Sequence, residues 1–391
     1  MRKHKICGIL NLTEPTQSLN PLVLSRPVAA LPFCSRYRLI DFPLSNLTAA
    51  DTRTIGVFIN GNLRSIYDHV RSGEEWGLDS LNGGLFFFSA ARAGGAGGDI
   101  DNFFNNVEFI EKSGADYVAI MGTRMLCNID VQAVLRSHIE QGAQITAVYK
   151  TTGRQVGDNR RLNCLSIGED GHIQSIRSCA GCSGCEKALI NMDIYILKGS
   201  LLIRLIRNAV AGNEHCDLND VLHRAIIRLP ASGFEYTGYM KPIGSIKDYY
   251  DGNMEMLLEA NRTALLSGSQ PIHTKVKNEA PTYYARSSDV CDSLVANGCL
   301  IRGTVRHSVV FRNVTIEKNA VVTHSVIMQD SYIGSGAQLD FVILDKCVRI
   351  EANTRLVGTA EKPIVIEKNS VVSRIYEQAE LGDNKYKQTL S

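Results

Sequence analysis

From about Val295 to Val372, aliphatic residues recur six positions apart: Val295 and Ile301; Val310, Ile316, Val322 and Met328; Ile333 and Leu339; Ile350 and Leu356; Ile366 and Val372. Small and polar residues such as Asn319, Gly334, Gly336 and Asn353 stand between them. An antiparallel sandwich alternates every two residues and turns about every eight to twelve, so it does not generate this period. One inward aliphatic per six residues is the pattern of a hexapeptide β-helix, in which each repeat forms one flat side of a coil. The spacing slips near Ile327 and Ile343, which predicts loops interrupting the coils there.

The rest of the chain has a different rhythm. Thr54–Ile59, Asp116–Met121 and Gln144–Tyr149 are short apolar runs rich in β-branched residues. Helical stretches, Leu63–Val70 and Asp130–Gln141, alternate with them. In the second stretch Val131, Val134, Leu135 and His138 fall on one face. Strands alternating with helices at this spacing predict a mostly parallel sheet covered on both sides. A helix over Lys247–Ser267 closes the segment, with Tyr250, Met254, Leu257, Leu258 and Leu265 on its apolar side and Gly268-Ser-Gln-Pro as its stop. The glycine-rich stretch Arg92–Gly98 reads as a flexible loop able to cross an open cleft. A chain of 391 residues exceeds one ordinary core. The expected division is an α/β domain over residues 1–255, a helix end and linker over 256–290, and the β-helix over 291–391.

Forty-two basic residues against forty acidic ones leave a formal net charge of +2, which gives no electrostatic reason to expect nucleic acid or an anionic membrane as partner. The longest apolar runs, such as Leu85–Ala91, fall far short of the roughly twenty residues of a membrane span. The basic start soon meets Asn11 and Glu14, unlike a signal peptide, so a cytoplasmic location is expected. The eleven cysteines then read as reduced thiols, many packed as small hydrophobes. Cys179, Cys182 and Cys185 stand apart. Their spacing suits a metal loop, but a fourth ligand would have to come from Cys164, Cys216 or His172 by folding back. The alternative is a plain, redox-sensitive loop.

The most specific string is Pro32-Phe-Cys-Ser-Arg-Tyr-Arg-Leu-Ile-Asp-Phe-Pro-Leu-Ser-Asn46. It resembles the stretch near the start of bacterial and plant glucose-1-phosphate adenylyltransferases. The likeness continues in order along the chain. Gly98-Asp-Ile-Asp-Asn-Phe-Phe-Asn-Asn106 resembles the family's Gly-Thr-Ala-Asp-Ala loop, and Asn191-Met-Asp-Ile-Tyr-Ile-Leu its Ser-Met-Gly-Ile-Tyr strand. Gly238-Tyr-Met-Lys-Pro-Ile-Gly-Ser resembles its Gly-Tyr-Trp-Arg-Asp-Val-Gly-Thr motif. The resemblance implies a nucleotidyltransferase-like, Rossmann-like α/β domain followed by a left-handed β-helix. It also implies metal-assisted attack of a sugar phosphate on the α-phosphorus of ATP.

That chemistry needs backbone amides and a basic residue around the triphosphate, and carboxylates on Mg²⁺. The family's glycine-rich loop after the first strand is replaced here by Asn11-Leu-Thr-Glu-Pro-Thr-Gln-Ser-Leu-Asn-Pro-Leu22, with no glycine and no basic residue. The family's Ser-Gly-Asp-His carboxylate falls on Arg124, or on Thr123 in the other register. Its second carboxylate falls on Pro242. Val28 stands where Arg-Ala-Lys-Pro has its lysine.

A chain that keeps the scaffold and loses these groups resembles the family's non-catalytic regulatory class, the D-type subunit, which pairs with a catalytic subunit in a heterotetramer. The resemblance implies no catalytic residue and no cofactor in this chain, with Mg²⁺ only in the catalytic partner. The resemblance leaves open whether the chain forms a homo-oligomer when that partner is missing. Asp101, Glu186 and Lys187 are the substrate-binding remnants it suggests. Arg26, Arg36, Arg38 and Arg53 are its candidates for a phosphorylated effector; the bland reading pairs them with Asp41 and Asp51. The competing functions are an active transferase with Asp99, Asp101 or Asp130 as relocated metal ligands, and a stand-alone sensor of a sugar phosphate or nucleotide. A β-helix acyltransferase would need His307 or His324. His138, His215 and His223 show no triad spacing.

Overall fold

The computed structural model describes residues 4–13, 17–61, 63–79, 83–90, 99–153, 162–179, 187–212, 216–268, 270–373 and 376–377. Apart from a short hairpin, Pro32–Phe33 with Tyr37–Arg38, the described residues of the first domain form eleven strands. They are β1 (Ile6–Leu12), β2 (Thr54–Asn60), β3 (Gly84–Ala90), β4 (Tyr117–Met121), β5 (Met125–Cys127), β6 (Ile145–Gly153), β7 (Asn163–Ile167), β8 (Ile173–Ser178), β9 (Lys187–Lys198), β10 (Ala231–Glu235) and β11 (Met240–Pro242).

Nine of them form one mixed sheet in the order β8-β7-β9-β4-β1-β2-β3, with β6 beside β9 and β10 beside β6. The centre is parallel, β4 and β2 flanking β1, and β9 runs antiparallel to β4, β6 and β7. All of β1 is buried, as a strand covered on both faces must be. On one face pack Leu10, Ile55 and Ile196 with the helix Val131–Glu140; on the other, Ile9, Phe58 and Tyr195 with the helices Ile100–Asn105, Gly199–Ala211 and Leu218–Arg228. The Val131–Glu140 helix follows the sequence expectation. Asp130 caps the Ala133 amide at 3.0 Å, and Val131, Val134, Leu135 and His138 are buried.

The single helix expected over Lys247–Ser267 is instead two, Ile246–Glu255 and Glu259–Leu266. The Arg262 guanidinium donates to the carbonyls of Met256 and Leu257 (2.9 and 3.2 Å), satisfying groups that the first helix leaves open. The bend lets both Met256 and Leu265 enter the core shared with the second domain, while Leu258 is left exposed.

That second domain is the left-handed β-helix, three parallel sheets wound into coils. Its first coil strand is Tyr283–Tyr284, inside the stretch expected to be linker. Ile301, Val310, Ile316, Val322, Ile333, Leu339, Ile350 and Leu356 point inward, one per side. Successive coils repeat every 15 or 17 residues rather than three whole hexapeptides, shown by Ser308 bonding to Ser293 and Ser325 to Ser308. The slips in the sequence period are therefore shortened corners at Ile327 and Ile343, where the coil runs on unbroken. The longer interruption lies over residues 358–363, before Ile364–Ile366. The third sheet, carrying Val309, Val326 and Ile343, packs on Phe33, Phe42 and Tyr249 of the first domain. No helix among the described residues is long and apolar enough to cross a membrane.

Candidate functional site

In open α/β sheets the ligand crevice lies beyond the carboxyl ends of the parallel strands. Here that region collects the ends of β1 and β4, the β5–β11 pair and the start of the Ile246–Glu255 helix.

At the end of β1, Thr13 Oγ1 lies 2.6 Å from Asn11 Oδ1 and closes on Asp99 Oδ2. The Leu218 amide donates to Asp99 Oδ1 at 2.7 Å, and the Asp99 amide to Asp217 Oδ1 at 3.1 Å. Asp99 thus ties β1 to the starts of two helices. Burial, aided by the neighbouring Asp217 charge, pushes its carboxyl up to about 6, against the hydrogen bonds from Thr13 and Leu218.

Beyond β4, β5 runs antiparallel to β11, with Met125 opposite Pro242. The Ile243 amide donates to the Arg124 carbonyl at 2.7 Å, and Arg124 Nη2 lies beside Gly244. The two positions where the family resemblance puts metal carboxylates are therefore neighbours in space, one occupied by Arg124 (or, in the other register, the buried Thr123) and one by Pro242. The nearest acid there, Asp248, accepts from the Gly244 amide (3.2 Å) and the Ser245 hydroxyl (2.8 Å), while its own amide bonds to Ser245 as the helix cap.

The relocated-ligand alternative is not supported by this geometry. Asp99 is engaged as described, Asp101 is exposed on the first turn of Ile100–Asn105, and Asp130 caps its helix and faces Arg136 at 3.4 Å. Among the described residues no three His, Cys, Asp or Glu side chains gather as metal ligands would. Lys187 opens β9 as an exposed residue opposite Gly153; Glu186, Cys182 and Cys185 lie outside the described residues, as do Glu14, the Arg92–Gly98 loop and His215. Cys179 is bonded to Cys164, which corrects the expectation that every cysteine is a free thiol. Cys7, Cys34, Cys127, Cys216 and Cys299 do pack as buried thiols. His223 meets the Tyr195 hydroxyl at 2.9 Å, and His138 meets Thr146 at 2.8 Å, so both serve the sheet–helix packing. His307 and His324 sit at successive β-helix corners against Asp292 (2.6 Å) and Asp340 (2.9 Å).

The four arginines expected to form one effector cluster are split. Arg26 is buried in an ion pair with Asp345, and Arg53 is exposed beside Asp51 at 3.0 Å, on a groove that also holds Lys5 and Phe86. Only Arg36 and Arg38 line the narrow pocket between the domains. There they meet Lys275, Lys277 and Arg312, which the sequence reading missed because they come from the linker and a β-helix coil. Within the pocket's surroundings Asp41 is held by His69 (2.6 Å) and the Arg38 amide (2.9 Å), and Glu279 lies between Arg312 (3.7 Å) and Lys277 (4.0 Å). With Arg71 beside these five cations, and Asp68 and Glu75 beside these two carboxylates, positive charge still exceeds negative. Burial first, then the opposing charges of Arg71, Lys277 and Arg38, pull Lys275 below its usual value. A polyanion would relieve that repulsion.

Residues 16–259 match the nucleotidyl transferase family, and residues 278–363 match the GlmU-like C-terminal hexapeptide family. The chain is 32% identical over 374 residues to a glycogen biosynthesis protein GlgD of Bacillus subtilis (strain 168), covering 95% of this chain and 98% of the relative. It is 34% identical over 376 residues to the protein of that name from Geobacillus stearothermophilus, again covering 95% and 98%. A glucose-1-phosphate adenylyltransferase of Geobacillus stearothermophilus is 30% identical over 329 residues, 82% of this chain and 84% of the relative.

Proposed function

The chain belongs to the nucleotidyl transferase family, and from that premise we propose that it acts in glycogen biosynthesis as the regulatory, non-catalytic subunit of a glucose-1-phosphate adenylyltransferase. The observation that carries this reading is the β5–β11 pair, where Arg124 and Pro242 stand together at the two carboxylate positions of the family motif. A guanidinium there repels Mg²⁺, and proline has no ligand to offer. The engagement of Asp99 and Asp248 in local hydrogen bonds supports the same reading, since neither is left to replace the missing ligands.

The partner is the catalytic subunit, in a heterotetramer that holds Mg²⁺ in that subunit alone. The location is the cytoplasm. This chain acts through coupling free energy: contacts across the subunit interface favour the partner's active state. A phosphorylated effector enters the pocket between Arg36, Arg38, Lys275, Lys277 and Arg312 and stiffens the junction of the two domains.

The test is ADP-glucose formation by this chain alone, by the catalytic subunit of the same organism alone, and by the two mixed. Silence alone with a raised rate or lowered substrate requirement in the mixture supports the proposal. Turnover by this chain alone, lost in Asp99→Ala or Asp101→Ala, overturns it. Ligand-dependent thermal stabilisation without any effect on a catalytic subunit makes the chain a sensor instead.

A further inference from the structure

We propose that Cys164 and Cys179 are a thiol–disulfide exchange site that fastens the outer edge of the sheet. Cys164 lies in β7, and Cys179 directly follows β8; their Cα atoms are 5.4 Å apart and their sulfurs are bonded. That separation is ordinary for a disulfide. Arg177 is the register partner of Cys164, so Cys179, two residues on, shares its face of the sheet. The Cys179 amide donates to the Leu162 carbonyl at 2.8 Å, and Cys179 packs on the core cluster that holds Cys164 and Ile190.

The position gives the bond its consequence. Among the described residues β8 is an edge strand whose ladder runs to β7 alone, and Ile173 is its one buried residue. β7 in turn pairs with β9 through Cys164 opposite Ile190. β9 begins at Lys187, a short stretch of chain after Cys179. The bond therefore anchors the residue from which the chain departs toward the first half of β9. Without it, the edge is held by one ladder, the isolated His172–Ser232 bridge and the packing of Ile173 and Ile176 on the core that the helix Leu218–Arg228 shares.

The other described cysteines are not comparable. Burial pushes the Cys7, Cys34 and Cys127 thiols up to about 12, which keeps them protonated and inert. Cys291 and Cys347 are exposed and unbonded. Resting on the cytoplasmic role proposed above, the pair faces a reducing compartment, where disulfides are generally transient, catalytic or redox-sensing.

The co-reactant is a protein or small-molecule dithiol. Its thiolate attacks Cys179 Sγ, the half-buried sulfur, breaking the bond to the buried Cys164, which leaves as thiolate and takes up a proton. The second thiol of the dithiol then attacks the mixed disulfide and releases Cys179 as a thiol. Two electrons and two protons pass to this chain, and the dithiol becomes a disulfide.

The experiment uses the full chain equilibrated with oxidised or reduced dithiothreitol, with differential alkylation mapped by mass spectrometry and amide hydrogen exchange followed on the same samples. The expected result joins Cys164 to Cys179 in the oxidised sample. On reduction, exchange rises roughly tenfold or more across Asn163–Ile167 and Ile173–Ser178, with β1 and the β-helix coils unchanged. The double variant Cys164→Ala, Cys179→Ala behaves as the reduced protein in both buffers, and Cys182→Ala, Cys185→Ala keeps the response. A bond mapped to Cys182 or Cys185, free thiols at 164 and 179 in the oxidised buffer, or exchange that ignores redox state overturns the proposal. Stimulation of the catalytic subunit is read separately. A chain that stimulates in neither state sinks the regulatory reading and leaves the exchange result standing.

Discussion

Arg26 and Asp345 close on one another across the junction of the two domains, their side chains 4% and 2% exposed. Arg26 Nε also donates to the Leu22 carbonyl at 2.9 Å, and Asp345 Oδ1 accepts from the Lys346 amide at 2.6 Å. Each charge is removed from water and has partners only in this arrangement. Arg26→Ala leaves the buried Asp345 carboxylate without its ion-pair partner, and the neighbouring Lys346 offsets part of a loss of about 3–5 kcal/mol. The double variant Arg26→Met, Asp345→Leu removes both charges and recovers most of that. Urea unfolding followed by fluorescence and circular dichroism checks it; equal losses in the single and double variants would refute the coupling.

The split of the arginines yields a discriminating binding experiment. Arg36 and Lys277 line the interdomain pocket, whereas Arg53 sits elsewhere beside Asp51. Arg36→Ala and Lys277→Ala each remove one charge-assisted contact, worth about 1.5–3 kcal/mol, so affinity for a sugar bisphosphate falls roughly tenfold or more. Arg53→Ala removes the same charge and leaves affinity within about twofold, because Arg53 is exposed, paired with Asp51 and outside the pocket, so salt screens it. Isothermal titration calorimetry at fixed ionic strength measures all three. Equal losses would mean that net charge alone drives binding.

How far the sequence could be read follows from how local each signal was. The β-helix was legible because each coil side carries its own inward aliphatic, as at Val310, Ile316 and Val322. The shortened corners showed only as slips in the period, because a five-residue step such as Val322 to Ile327 does not tell a dropped corner residue from an inserted loop. The α/β domain was legible from helix faces such as Val131, Val134, Leu135 and His138. The break at Met256 to Leu258 was hidden because both flanking helices keep apolar faces. The positions of Arg124 and Pro242 came from motif comparison, and their adjacency came from the β5–β11 pairing. Arg312 and Lys277 join Arg36 only through tertiary folding, and the bond from Cys164 to Cys179 depends on a strand register that no spacing encodes.

Asp99 gives a pH prediction with a definite sign. Its carboxyl titrates near the ordinary 3.8 when unfolded and at about 6 when folded, chiefly because of burial. Between those values the folded chain holds a proton that the unfolded chain has released. The stability this group contributes is therefore full below pH 4 and declines as pH rises toward 6, by about 3 kcal/mol at most. Asp99→Asn keeps an acceptor for the Leu218 amide and carries no charge, so the decline disappears. Unfolding midpoints measured between pH 4 and 7 in both proteins test this, and parallel curves would show that Asp99 is not the group responsible.

Lys346 has the opposite slope. Burial, followed by the Arg38 and Arg26 guanidiniums, pulls its ammonium from 10.5 down to about 7, with Asp345 opposing. Between about pH 7 and 10 the unfolded chain binds the proton more tightly, so the stability linked to this group rises with pH. Lys346→Met flattens that rise and raises stability near pH 7 by roughly 2–4 kcal/mol. The depression is caused in part by cations at the interdomain junction, and Arg38 also lines the effector pocket. A bound polyanion offsets those charges, lifts Lys346 toward its ordinary value and weakens the pH slope. Melting curves of the wild-type chain between pH 7 and 9.5 should therefore rise less steeply with pH when a sugar bisphosphate is present, over and above the uniform stabilisation that binding gives. A slope indifferent to the ligand would separate Lys346 from the pocket and confine its role to the Arg26–Asp345 junction.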